Sequence, residues 1–419
     1  MRLRSLVTAL GLLTCLTLGA ASPTASAAVS EAALALHRRL LVLDSHIDTP
    51  RLLEQPGWNI LERHDAARDL SQVDWPRLRE GGLDGAFWAI YTPQGDRDLQ
   101  GRAAAAQHGL AQLMRLHDLA ARHPLQFGLA LSSDDARRLA AQGRHAVFIS
   151  MENAEPLASD PALLDTYQRH SLRMLGLVHS RNNGVADSAT DAPEWHGLSP
   201  VGRQLVRRAN CLGVLLDASH ASDEVFDQLL DISAVPIVLS HSASRAITDH
   251  RRNLDDARLL RLAEKGGVLQ VTLYSSYLST LKDDPRRAAQ LQPLYAQLRR
   301  MAALQPAEFR ALAAQIGEVE RRYPKARASL DDFMQHLLHV LKLVGPAHVG
   351  IGTDWDGGGG VAGLEDVAQL PRITERLMQA GYSEAEIAGI WGGNLMRALD
   401  LAQTFPQADI QGYCAATDK

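Results

Sequence analysis

His46 and Asp48 stand two residues apart in the stretch LLVLDSHIDTP, residues 40–50. On an extended chain such a pair faces one side, so an imidazole and a carboxylate can grip a metal ion together. The pattern of an apolar run ending in an ionisable residue recurs. HAVFISME ends in Glu152, RMLGLVHS reaches His179, LGVLLDASH ends in His220, PIVLSH ends in His241, and HVGIGTDWD carries Asp354. A core strand has no use for such groups, so they belong where strands meet a shared mouth. His46, His220, His241, Asp48 and Glu152 together suit borderline divalent ions, zinc first. Five ligands exceed one tetrahedral site that keeps a position open for water. They suit two ions sharing a bridging carboxylate, and Glu152 is the natural bridge because its strand lies between the two ligand groups in sequence.

Eight apolar runs must carry these residues: 40–44, 85–91, 145–152, 173–180, 212–220, 236–241, 267–274 and 348–356. They are apolar throughout rather than alternating, as expected of strands covered on both faces. Helical patterns lie between them, among them SDEVFDQLLDIS after the fifth run and LEDVAQLPRITERLMQAG after the eighth. Eight strands alternating with helices predict an α/β fold, a (β/α)8 TIM barrel, whose catalytic residues gather at the C-terminal rim. A doubly wound sheet is the competing architecture. The stretch 280–340 reads as a helical insertion after the seventh strand. Tyr274 and Tyr277, at the end of that strand, either line a pocket or pack. Asp44 either orients a ligand from behind or caps the strand end. Gly357 to Gly360 permit a mobile or tightly turned loop.

The chain has 419 residues and a formal net charge of −5, and no long basic stretch points to nucleic acid. Arg2 and Arg4, the apolar stretch Leu6 to Leu18 and the tract Ala25-Ser26-Ala27 form the pattern of a secretory signal peptide over 1–27. The stretch is short for a bilayer span. A single barrel domain over 28–419 is then expected to be exported, to a periplasm or outside the cell. Cys211 and Cys414 could make one disulfide, but Cys211 opens the apolar run CLGVLLD and reads as a buried thiol. CxxC, Walker, GxSxG and HExxH motifs are missing, which leaves thiol, serine and zincin chemistries without support.

The stretches DSHIDTP, QVDWPRLREGGLDGAFWAIY, ISMENAEPL, LGLVHSRNNGVADS, LGVLLDASHAS, PIVLSHSASRAITDHRRNLDD, HVGIGTDWDGGG and the long segment LEDVAQLPRITERLMQAGYSEAEIAGIWGGNLMRAL follow one another in order. Over about 40–400 the chain resembles the renal-type membrane dipeptidases, metallopeptidases related to the amidohydrolase barrels. The resemblance implies a barrel with two zinc ions, one held by His46 and Asp48, the other by His220 and His241, with Glu152 bridging. It also implies that His179 supports the substrate carbonyl, that Arg252 holds the substrate's free carboxylate, and that Asp354 stands beside the bridging water as base and then acid. The implied reaction is dipeptide hydrolysis by a metal-bridging hydroxide, with D residues at the C-terminal position within the family's range, by a homodimer. Two positions depart from the family pattern: Ser45 stands where glycine is usual, and Asn153-Ala154 replace glycines after the bridging glutamate. Both are expected at the pocket wall. The 280–340 segment looks longer than in the mammalian enzymes. The rival within enzymes is a related amidohydrolase acting on N-acyl amino acids or cyclic amides. A non-catalytic decayed barrel would have lost a ligand, and none is missing.

Overall fold

The computed structural model describes residues 28–55, 57–298, 304–408 and 413–414. The expected signal peptide lies outside the described residues. Among the described residues nine strands form: β1 (Leu43–Ile47), β2 (Gly85–Tyr91), β3 (Phe127–Leu129), β4 (His145–Glu152), β5 (Leu172–Gly176), β6 (Leu215–Asp217), β7 (Val238–Ser242), β8 (Val268–Val271) and β9 (Val349–Ile351). Eight are joined by parallel pairing in the order β1-β2-β4-β5-β6-β7-β8-β9. A parallel bridge between Ile47 and Trp355 brings the first strand back to the chain beyond the last, so the sheet closes as a (β/α)8 barrel.

The strand missed by sequence reading is β3. It has only three residues with Gly128 at its centre, too little for a periodicity signal. It pairs with β4 over His145 to Val147, whereas β5 pairs with β4 only from Ile149 onward. Thus β3 covers backbone groups that the short β5 leaves free.

The barrel interior is packed. Leu43, Phe87, Phe148, Met174, Leu215, Val238 and Val268 come from seven different strands and meet Leu395, Met396 and Leu399 of the helix Asn394–Ala408 in one buried cluster. The alternate residues Ala86, Trp88 and Ile90 of β2 join the larger core under the outer helices. This two-sided burial explains the continuous apolar runs. The outer helices begin where side chains cap them: Ser199, Ser222 and Asp255 each accept a backbone N–H from the first turn of their helices.

The insertion is narrower than 280–340. The helices Pro285–Leu298 and Pro306–Arg322 hold each other through a small core of Leu291, Leu312 and Ile316. The next helix, Leu330–Val344, buries Phe333, Leu337, Val340 and Leu341 in the main core and is an ordinary barrel helix. Cys211 is not a free thiol. It lies in the half-exposed last turn of the helix Pro200–Leu212 and is bonded to Cys414. Tyr413 beside it donates to Asn210 Oδ1 at 3.1 Å and contacts the Ile232 carbonyl at 3.0 Å. No helix among the described residues is long and apolar enough to cross a membrane.

Candidate metal centre

All the ionisable residues that end apolar runs reach the C-terminal side of the strands. His46 lies in β1, Glu152 ends β4 and His241 lies in β7. Asp48, His179, His220 and Asp354 follow β1, β5, β6 and β9 within one to three residues. The closure of the barrel assembles part of this group. Asp354 N donates to the His46 carbonyl at 3.1 Å, and Asp48 N donates to the Trp355 carbonyl at 2.8 Å. Asp44 spans the same seam: its Oδ1 accepts His46 N and Thr353 N, each at 3.0 Å, and its Oδ2 accepts the Thr353 hydroxyl. Of the two readings left open for Asp44, the structure supports orientation of a ligand, exerted through the His46 backbone.

Glu152 is central. Its Oε1 lies 3.1 Å from His220 Nε2, 3.5 Å from His241 Nε2, 3.8 Å from His46 Nε2 and 4.0 Å from His179 Nε2. His46 Nε2 is 3.4 Å from Asp48 Oδ2. Three sets have donor atoms within 4.8 Å of one another: His46, Glu152 and His241; Glu152, His179 and His220; and His46, Asp48 and Asp354. The pair that the resemblance implies, His220 and His241, also meets at Glu152 Oε1, at 3.1 and 3.5 Å. The Nε2 atoms of that expected pair do face each other at 2.9 Å.

Neighbouring groups aim the imidazoles. The Ser240 hydroxyl donates to Asp217 Oδ2 at 2.5 Å and so accepts from His241 Nδ1 at 2.8 Å. That proton on Nδ1 leaves the Nε2 lone pair directed at Glu152's carboxylate, where a cation would sit. Asp217 is itself fixed by the N–H groups of Ser219 and Ser240. Sequence reading missed this relay, although its signal was present: Ser240 adjoins His241, and Asp217 precedes His220 by three.

The donor set fits divalent cations. His46 Nε2 is buried with no hydrogen-bond partner. Burial holds His220 and His241 well below the ordinary histidine pKa, which keeps their lone pairs free. Burial, then Asp48, pushes Asp354 well above the carboxylate range. Burial likewise raises Glu152 to about 8, against the opposing pull of His46. Burial would lower His46, but Asp48 and Glu152 outweigh it and raise its pKa to about 10. Crowded buried carboxylates hold protons in this way when no cation neutralises them, and a metal ion would displace those protons.

The backbone here is unusual. His220, Asp354, Asn153 and Asp356 have φ of 67°, 62°, 70° and 64°, a left-handed region that non-glycine residues enter at a cost. A Cβ on Gly357 would stand 2.0 Å from Asp48 Oδ2 and 2.2 Å from Asp354 Oδ1. Gly357, Gly358 and Gly359 all point N–H groups at the Asp354 carbonyl, so the glycine run is a tight turn. The two departures from the family pattern are structural rather than wall-forming. Ser45 donates to the Ser240 carbonyl at 2.5 Å inside the barrel, and Asn153 donates to the Thr92 carbonyl at 2.7 Å.

Arg252 is buried beside the cluster. Its Nη2 donates to the His241 carbonyl at 3.1 Å, its guanidinium lies 5.1 Å from the Tyr277 ring centroid, and its Nε has no partner. His179 is the most open member of the group; burial lowers its pKa to about 4, and its Nδ1 is 3.5 Å from the Tyr91 hydroxyl. A cavity of about 820 Å³ abuts the cluster at Asp356 and Gly357 and is also lined by Tyr274, Lys325 and Tyr295.

A parallel barrel carrying histidines and carboxylates at its C-terminal rim is the layout of a metal-dependent hydrolase. The chain belongs to the membrane dipeptidase family, peptidase family M19, whose model matches residues 30–410. It is a metallo-dipeptidase of that family. It is 29% identical over 365 residues to dipeptidase tcpJ of Claviceps purpurea, covering 85% of this chain and 76% of the relative. Mouse dipeptidase 3 is 28% identical over 374 residues, covering 88% and 65%. Among solved structures, the "probable dipeptidase PvdM" of Pseudomonas aeruginosa superposes with a TM-score of 0.76 at 32% identity, covering 90% of this chain and 98% of that one. A metallo peptidase of Rhodobacter sphaeroides, liganded with a phosphinate mimic of L-Ala-D-Ala, gives 0.68 at 25% identity, covering 87% and 99%.

Proposed function

We propose that the chain is a zinc-dependent dipeptidase in which His46 and Asp48 would hold one ion, His220 and His241 would hold a second, and Glu152 would serve both. The observation that carries this reading is Glu152 Oε1 within 4.0 Å of four imidazole Nε2 atoms. When bound, the metal would supply Lewis acidity, which would make a water nucleophilic near neutral pH and polarise the scissile carbonyl.

The chain's own residues do the rest. Arg252, a buried guanidinium whose Nε lacks a partner, makes charge-assisted bonds to the substrate's terminal carboxylate. This restricts substrates to those whose carboxylate lies one residue past the cut. His179, kept neutral by burial, donates from Nε2 to the developing oxyanion, with Nδ1 turned to Tyr91. Asp354, whose donor oxygen lies within 4.8 Å of His46 and Asp48, takes a proton from the attacking water and delivers it to the leaving amine. Acceptance of a D residue at the C-terminal position is supported by the L-Ala-D-Ala mimic bound to the Rhodobacter relative. The 1–27 pattern supports export of a mature chain beginning near residue 28.

Asp354→Asn tests the proton role. The variant should keep both metals and lose turnover by about 10²-fold or more. Near-normal turnover in the folded, metal-loaded variant would remove Asp354 from the mechanism.

A further inference from the structure

The insertion brings a lysine to the cavity that adjoins the metal centre at Gly357. Lys325 follows the helix Pro306–Arg322, and its Nζ lies 5.6 Å from the Tyr274 ring centroid. Tyr274 stacks on Tyr277 at 4.3 Å, and Tyr277 carries the Arg252 guanidinium at 5.1 Å. A column of two cations and two rings therefore runs from the insertion to the edge of the metal centre.

Of the other charges around the cavity, Arg287 and Asp356 have partners, while Arg51 keeps a buried Nε with no hydrogen-bond partner. Arg287 is paired with Glu320 and with Asp283, 3.4 Å away. Asp356 accepts from the Thr49 hydroxyl at 2.7 Å and from Gln72 N at 2.6 Å, and Arg51 is the cation nearest to it. Asp249 lines both this cavity and a second one, which Arg245 and Arg251 also line. Lys325, like Arg51, has no ion pair among the described residues, and of the two it is the one that the insertion brings. Its nearby carboxylates, Glu320 and Asp283, are those already held by Arg287. Burial and the neighbouring Arg327 and Arg287 press its pKa below the usual lysine value. Among the described residues it has a ring beneath it and no ion pair of its own.

Gly357 lines the cavity and its Cβ position stands 2.0 Å from Asp48 Oδ2 and 2.2 Å from Asp354 Oδ1, so a dipeptide cut at the metal centre would lie at one edge of this cavity. The cavity's volume of about 820 Å³ is near the upper end for small-molecule sites. A side chain extending into it would pass along Tyr274 and meet Lys325. We propose that the insertion-walled cavity is a side-chain subsite that selects dipeptides bearing an acidic side chain, glutamyl or aspartyl, with Lys325 as the recognising cation and Tyr274 as the wall. The inference rests on the dipeptidase reading and deepens it.

The test compares kcat/KM of the zinc-loaded protein for two isosteric pairs, Ala-Glu with Ala-Gln and Glu-Ala with Gln-Ala. The acidic member of at least one pair should be favoured about tenfold or more, as an ammonium–carboxylate bond in a partly dry site would give. In Lys325→Met, which keeps the apolar stem, that ratio should fall to within about twofold of one. A ratio taken within one protein preparation does not depend on how much of the variant folds. Hydrolysis of the amide dipeptides with no acidic preference, or a preference unchanged in Lys325→Met, overturns the subsite and leaves the dipeptidase reading standing. No hydrolysis of any of the four by the folded, loaded protein overturns both.

Discussion

Asp354 donates its backbone N–H to the carbonyl of His46 at 3.1 Å, so the seam that closes the barrel also assembles the site. The two residues are 308 positions apart in the chain, and the bridge from Ile47 to Trp355 makes them neighbours. Asp44 reinforces the join by holding His46 N and Thr353 N on one oxygen. Fold and chemistry are thus coupled at one place: loosening the seam separates Asp354 from His46 and Asp48.

Gly357 has no room for a side chain at this seam. Its Cβ position falls 2.0 Å from Asp48 Oδ2 and 2.2 Å from Asp354 Oδ1. Gly357→Ala should therefore displace one or both carboxylates, lowering metal content and cutting kcat/KM about 10²-fold or more. Metal analysis with steady-state kinetics checks this. Full metal content with unaltered kinetics would mean the turn yields elsewhere.

Ser240 sets the tautomer of His241 by relaying Asp217. Ser240→Ala keeps the backbone N–H bond to Asp217 and removes only the relay. Metal affinity, measured by chelator competition, should fall about 10- to 100-fold, the usual cost of losing an orienting partner. At saturating metal, most activity should return.

Stability should fall with acid between about pH 6.5 and 4 through buried histidines. His145 shows why: its Nδ1 donates to the Leu83 carbonyl at 3.0 Å, and its Nε2 accepts from Trp88 Nε1 at 3.1 Å. Protonation would turn that acceptor into a donor facing a donor. Burial lowers the pKa of His145 to about 4. The unfolded chain, titrating near about 6.5, binds the proton first as pH drops, so unfolding becomes easier across that window. His145→Gln should remove on the order of 3 kcal/mol of the fall in unfolding free energy between those limits, as read by urea denaturation. An unchanged pH slope would contradict it.

The Cys211–Cys414 bond fixes the C-terminal segment to a helix that leads into the N-terminal end of β6, opposite the metal centre. It encloses a sequence separation of 203 residues. Cys414→Ser should lower stability by about 3–5 kcal/mol on the loop-entropy argument and leave kcat/KM within about twofold of wild type. Thermal melts and kinetics on the same sample separate the two effects.

The strand ends were legible because two-sided burial makes barrel strands uniformly apolar, so Glu152, His220 and His241 stand out at their ends. Asp48 and Asp354 were legible by the same contrast. What sequence could not show is conformational. Nothing in the letters marks His220 or Asp354 as left-handed, because the hydrogen bonds that hold those backbones come from distant segments. β3 was hidden by its length. Cys211 was misread because the apolar run CLGVLLD straddles a helix end and a strand, with Gly213 at φ 67° between them. Lys325 was invisible because its place at the cavity depends on how the insertion folds back, which local periodicity does not encode.

The most direct test of the two-ion reading is a zinc titration of chelated mature protein, following amino acid release from L-Ala-L-Ala and L-Ala-D-Ala. Activity should return with added zinc and reach its plateau at two ions per chain, and Glu152→Gln should lower that stoichiometry. A plateau at one ion, or no release of amino acids from folded protein carrying two, would contradict it.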